Sequence, residues 1–110
     1  MNVPLHQAKA ELFRTLGHPV RIRVLELLVE RPHQVRELLA AIEVEASNLS
    51  QQLAVLRRAG LVTSTREGST VVYRLSTPDV AEMMLAARRI LTSVLTGQEE
   101  LLAELRSQPS

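Results

Sequence analysis

The sequence predicts a mainly helical domain with one small β-hairpin, in the order four helices, two strands and a long fifth helix. Three observations predict it. Apolar residues recur at spacings of three and four through separate blocks before residue 60. The pattern then changes to β-branched runs over residues 62–75, and after Pro78 the helical spacing resumes and holds as far as Leu105. A chain of 110 residues can bury one hydrophobic core without staples, so a single domain over 1–110 is expected. Apolar residues make up 45% of the chain, yet Phe13 and Tyr73 are its only aromatics. The core must therefore be built from Leu, Val, Ile and Ala, which favours packed helices.

From Leu5, the residues Ala8, Leu12 and Leu16 recur at helical spacing with Phe13 beside them, until Gly17 and Pro19 interrupt the pattern. Pro19 suits the first turn of a second helix, where its missing N–H costs nothing. Ile22, Leu25, Leu28 and Val29 repeat along that helix until Arg31-Pro32 stops it. Val35, Leu38, Leu39 and Ile42 set a short third helix. Glu43-Val44-Glu45 separates it from a fourth, in which Leu49, Leu53 and Leu56 point inward and Gly60 supplies the left-handed residue that ends it. The third and fourth helices form a helix-turn-helix pair.

Val62–Arg66 and Thr70–Leu75 are rich in β-branched residues and flank Glu67-Gly68-Ser69, the pattern of a β-hairpin. Pro78 then opens the long final helix. Val80, Met84, Ala87, Leu91, Val94, Leu101 and Leu105 alternate spacings of four and three, with Gln98 at the missing position. A second stripe of Met83, Ile90, Leu95 and Leu102 widens the apolar face beyond what one helix lying on a small domain needs. Burial against a second copy is the economical explanation, so a homodimer is expected. Ser107 to Ser110 are expected to fray.

Composition excludes several classes. Without cysteine there is no disulfide, thiolate metal site or cysteine nucleophile. The first ten residues lack the basic and apolar regions of a secretion signal, and no apolar stretch approaches the roughly 20 residues needed to cross a bilayer. A cytoplasmic protein with no membrane partner is expected. Three scattered histidines, no glycine-rich phosphate loop and no carboxylate pair leave nothing to assemble a catalytic site, so an enzyme is not expected.

The net charge is only +1, but it is unevenly spread. Residues 47–74 carry four arginines against Glu67 alone, which makes this segment the candidate for meeting phosphates. With Leu49, Leu53 and Leu56 buried, the fourth helix turns Ser47, Asn48, Gln51 and Gln52 outward, with Ser50 at the margin. All can hydrogen-bond, and amides and hydroxyls are suited to base edges in the major groove of double-stranded DNA. A merely solvated face on this chain carries charge, as Arg21, Arg23, Glu26 and Glu30 show on the second helix, whereas Ser47–Gln52 carries none. Arg66 sits at the hairpin tip, where it can meet phosphate or enter the minor groove. For Arg57 and Arg58, DNA contact and complementing the helix C-terminus are equally good readings.

Three segments taken together resemble the ArsR/SmtB family of bacterial winged helix-turn-helix regulators. They are Leu16-Gly17-His18-Pro19-Val20-Arg21-Ile22-Arg23-Val24-Leu25, the run from Asn48 to Val62, and the run from Arg66 to Leu75. The resemblance implies a dimer joined through the first and last helices, which assigns Leu5, Leu12, Val80, Met84, Ala87, Leu91 and Val94 to the interface. It also implies a fourth helix inserted in the major groove and DNA contact altered by a ligand. Carried to this chain, Ser47, Asn48, Ser50, Gln51 and Gln52 meet an operator, with Gln52 in place of a histidine that many relatives have. Glu45 stands where relatives often have serine, which makes it a weak cap and a negative charge near DNA.

The effectors best known in that family are metal ions, and here both familiar sites are broken. Val35-Arg36-Glu37 replaces a cysteine pair on the third helix, and Asp79 is followed by Val80 and Ala81 with no histidine on the last helix. The remaining nitrogen donors are His6, His18, His33 and the Met1 amine, which suit nickel, zinc, cobalt or copper. His18 lies in the motif between two helices and is read as structural. His6 opens the first helix, where some relatives use N-terminal histidines, and is either a ligand or simply solvated. His33 is the other candidate, with Glu30 and Glu37 as companions. Met83 and Met84 belong to the apolar stripe. The expectation is a sequence-specific DNA-binding regulator responsive to a divalent metal, nickel ahead of zinc or cobalt. The alternatives are control by a small molecule or a protein co-regulator, or a winged-helix dimerisation adaptor that does not bind DNA.

Overall fold

The computed structural model describes residues 2–107, in which five helices and three strands follow one another. They are α1 (Leu5–Leu16), α2 (Pro19–Glu30), β1 (His33–Gln34), α3 (Val35–Ala41), α4 (Ala46–Arg58), β2 (Val62–Glu67), β3 (Thr70–Leu75) and α5 (Pro78–Ser107). At the centre lies α2, which packs against α1, α4, α5 and β3. Its Val24 and Leu25 are fully shielded from solvent. The helix starts cleanly because Pro19 occupies its first turn and His18 caps it, the His18 Nδ1 accepting the Val20 N–H at 3.2 Å. His18 therefore has the structural position read from the motif.

Before α3, the Glu37 carboxylate reaches back to accept the Gln34 N–H at 2.9 Å. That bond, opposed by partial desolvation and helped by the nearby Arg31 guanidinium, holds the Glu37 carboxyl below the usual glutamate range. Leu49, Leu53 and Leu56 of α4 are buried, as their spacing predicts. The helix ends in a Schellman turn: the Leu61 N–H donates to the Leu56 carbonyl and the Gly60 N–H to the Arg57 carbonyl, both at 3.0 Å. Gly60 has φ +79°, a conformation that side chains with a Cβ rarely adopt. This turn buries Leu61 and directs the chain into β2.

The sheet has three antiparallel strands in the order β1-β3-β2 rather than the two expected. In the added strand His33 is opposite Tyr73 and Gln34 opposite Val72. Two residues are too few to show a period, which is why the sequence pattern missed it. Glu67 pairs with Thr70 across a two-residue loop, with Arg66 opposite Val71 and Gly68 at φ +66°. Positive φ at the first loop position alone is the signature of a type II′ turn, whose twist matches the strands it joins. At the base, the Ser76 N–H donates to the Leu61 carbonyl at 3.0 Å and the Ser76 hydroxyl to the Gly60 carbonyl at 2.7 Å.

The 30 residues of α5 extend about 45 Å at the usual helical rise. Its first turns belong to this chain's own core: Val80 is buried, and Met83 and Met84 are half-buried against the same cluster. Val80 is thus corrected from interface to internal core, because Pro78 launches the helix directly across the domain, while half-buried Met84 also lines the groove beside Leu91 and Leu95. Leu12 likewise rests against the core. Further along, Ile90, Leu91, Val94, Leu95, Leu101, Leu102 and Leu105 are exposed, and so are Leu5 and Phe13 of α1. No helix among the described residues is long and apolar enough to cross a membrane. Residues 108–110 of the end expected to fray lie outside the described residues, as does Met1.

Candidate nucleic-acid interface

The N-terminal half of α4 presents an uncharged polar surface. Ser47, Ser50 and Gln51 are exposed and Asn48 is half-buried at its edge. Glu45, the residue before the helix, makes no side-chain cap bond, contrary to the weak cap expected of it. The first-turn N–H groups therefore receive no help from that side chain, and their partial positive charge favours an anion at this end.

Gln52 is not on that surface. It is 8% exposed, and its Oε1 accepts from the Arg21 Nε at 2.8 Å while its Nε2 donates to the Asn48 Oδ1 at 2.9 Å. The direct DNA contact expected of Gln52 is corrected to an internal one. The sequence held the signal, since positions 49, 52, 53 and 56 follow the spacing of a single buried helix face. Its polarity argued for solvent, but Arg21 supplies the partner that makes burial of an amide tolerable. Arg21 itself, also bonded from Nη1 to the Thr15 carbonyl at 3.1 Å, was missed as part of the site.

Basic groups flank the polar surface. Arg57 and Arg58 are exposed in the last turn of α4 and Arg66 is exposed near the hairpin tip. None of the three has an ion-pair partner among the described residues. Arg74, by contrast, is committed to Glu67 at 2.9 Å and to the Thr65 hydroxyl at 2.6 Å. Arg74 thereby neutralises the one acid of the wing and leaves the Arg66 charge uncompensated.

The candidate metal ligands do not come together. Among the described residues no group of three His, Asp or Glu side chains is placed to hold an ion. His33 is 5% exposed with its Nδ1 2.8 Å from the Arg31 carbonyl, and Glu37 is tied to Arg31 at 3.0 Å. His33 is thus a buried strand residue with one ring nitrogen engaged, rather than a residue of an open turn. His6 is exposed in the first turn of α1.

A hairpin wing beside a helix-turn-helix, with a polar helix face and unpaired arginines, defines a winged helix-turn-helix protein. Residues 18–64 match the family described as bacterial regulatory protein, arsR family. The uncharacterised HTH-type transcriptional regulator Rv0081 of Mycobacterium tuberculosis is 51% identical over 105 residues, 94% of this chain and 92% of its own length. Its crystal structure superposes with a TM-score of 0.83 at 52% identity, covering 88% of this chain and 98% of that one. The biofilm growth-associated repressor of Agrobacterium fabrum is 39% identical over 84% of this chain and 76% of its own length. A homodimeric winged helix-turn-helix DNA-binding domain of Mycobacterium bovis is similar with a TM-score of 0.76 at 26% identity, over 83% of this chain and 84% of that one. The chain belongs to the ArsR family of bacterial regulatory proteins. It is a DNA-binding transcriptional regulator and not an enzyme.

Proposed function

We propose that the protein acts as a homodimer that places α4 of each copy in successive major grooves of an operator, with each wing on the flanking backbone. The uncharged polar end of α4, bordered by unpaired arginines, carries this reading. Ser47, Asn48, Ser50 and Gln51 face the bases, Arg66 the phosphates, and Arg57 the backbone at the far end of the helix. Support for the dimer comes from the exposed apolar run of α5, with Leu91 and Leu95 59% and 55% exposed, and from Leu5 and Phe13 on α1. An apolar surface of this length is not left in water by a monomer.

Selection from a randomised duplex library tests it. The expected product is a two-fold symmetric sequence with half-sites about 10 base pairs apart, as two-fold docking requires. Enrichment of nothing, or of single half-sites, refutes the arrangement. Sedimentation of a Leu91→Glu, Leu95→Glu double variant should give the mass of one chain where the wild type gives two.

For the signal, the divalent-metal reading, nickel ahead of zinc or cobalt, rests on His6. Its place in the first turn of an α1 that would meet the partner's α5 is what supports it, and further ligands would have to come from the second copy. Calorimetry with nickel and zinc on wild type and His6→Ala decides: unchanged affinity removes His6 from the site, and no binding to wild type leaves control by a small molecule or protein partner.

A further inference from the structure

The hydrogen bonds beneath α4 have a direction, and it ends on a residue of the DNA-reading surface. The guanidinium of Arg21 has donors and no acceptor. Held by the Thr15 carbonyl at 3.1 Å, it presents its Nε at 2.8 Å to Gln52, so the Gln52 amide must turn its oxygen to Arg21 and its nitrogen away. That nitrogen donates to the Asn48 Oδ1 at 2.9 Å, so the Asn48 amide is oriented in turn, with its oxygen inward. The Asn48 Nδ2 donates to no described residue, and no buried side-chain nitrogen or oxygen among them lacks a partner. The Nδ2 is therefore not fully shielded from solvent.

We infer that Arg21 and Gln52 are positioning residues that make Asn48 a hydrogen-bond donor toward DNA. This rests on the reading of α4 as the helix that enters the major groove. An asparagine free to turn reads adenine with both ends, accepting from N6 and donating to N7. Here one lone pair of the oxygen is engaged from below and the amide is turned with its oxygen toward Gln52, so the NH2 is the end presented outward. Its matching partner is an acceptor on a base edge: purine N7, guanine O6 or thymine O4. The chain also ties the last turn of α1, through Thr15, to a base-reading side chain of α4.

The experiment starts from the duplex that the wild-type protein enriches from a randomised library. The base pair read by Asn48 is the one whose preference disappears in Asn48→Ala. At that pair, replacing the purine N7 or the thymine O4 that serves as acceptor should weaken wild-type binding about three- to tenfold, the size of one hydrogen bond. Removing the major-groove amino group, adenine N6 or cytosine N4, should leave affinity unchanged. A loss on removing the amino group, or no loss of preference in Asn48→Ala, overturns the inference. Failure to enrich any sequence overturns the parent reading and this one with it.

A second arm inverts the polarity. Gln52→Glu keeps the size and the Arg21 partner but has no donor for Asn48, whose NH2 should then turn inward to the new carboxylate. The preference at that pair should move from the acceptor edge to the amino edge. An unchanged preference in a folded Gln52→Glu protein overturns the relay, and the base-analogue arm on wild type stands independently if that variant does not fold.

Discussion

Arg66→Ala isolates the contribution of the wing to DNA binding. Arg66 lies one residue from the end of β2, exposed and without an ion-pair partner, while Arg74 is held by Glu67 at 2.9 Å. Removing the Arg66 side chain therefore deletes one uncompensated charge per copy and no side-chain hydrogen bond or ion pair among the described residues. Each phosphate neutralised contributes about 0.9 to the slope of log affinity against log salt, so two wings contribute about 1.8. Over a fourfold rise in salt, from about 50 to about 200 mM, wild type should lose about tenfold more affinity than the variant. Fluorescence anisotropy of a labelled duplex across a salt series measures this. Arg88→Ala serves as the control, because that side chain lines the groove between α2 and α5 rather than the wing. Equal slopes for wild type and Arg66→Ala would refute the phosphate contact. A slope change matched by Arg88→Ala would show that long-range charge alone is responsible.

Other outcomes test the base-reading face, the core and the acid limb. Gln51→Ala should cost about 1 to 3 kcal/mol of sequence discrimination while random-duplex affinity and dimer mass stay the same; equal losses on specific and random DNA argue against base reading. Leu25→Ala, at a fully shielded position of α2, should lower the unfolding free energy in urea by about 2 to 5 kcal/mol. A loss well below this range would mean that the cavity collapses around α2. The Glu37 carboxyl is held low in the folded state, first by the Gln34 N–H and further by Arg31. Its contribution is thus present above the ordinary glutamate value of 4.5 and is lost as pH falls through the depressed folded value. Glu37→Gln should show a shallower fall of Tm on the acid side, and an unaltered profile would remove Glu37 from the acid limb.

Much of this was legible because it depends on local chemistry. The three- and four-residue spacing marks the helices, Pro19 opens α2 and Gly60 closes α4, as the Schellman bonds require. Strand β1 was not legible, since its two residues are ordered by pairing with β3 and by nothing in their own pattern. Val80 illustrates a different failure: one apolar seam on α5, interrupted only at Gln98, serves the core at its start and remains exposed from the middle onward. Periodicity shows which face is apolar, but not what covers it.

The order of the five helices and the wing hairpin, the polar face of α4 and the absence of thiol chemistry follow from residue identity and spacing alone, because each acts over a few residues of chain. Tertiary structure decided the fate of individual polar groups. Arg21 and Gln52 are 31 positions apart, and only packing of α2 on α4 turns a candidate base reader into a buried support for Asn48. The same kind of pairing, Arg74 with Glu67, determines that Arg66 carries the wing's free charge. Whether a side chain faces DNA or its own protein depends on long-range partners that satisfy its hydrogen bonds, and sequence spacing carries no record of them.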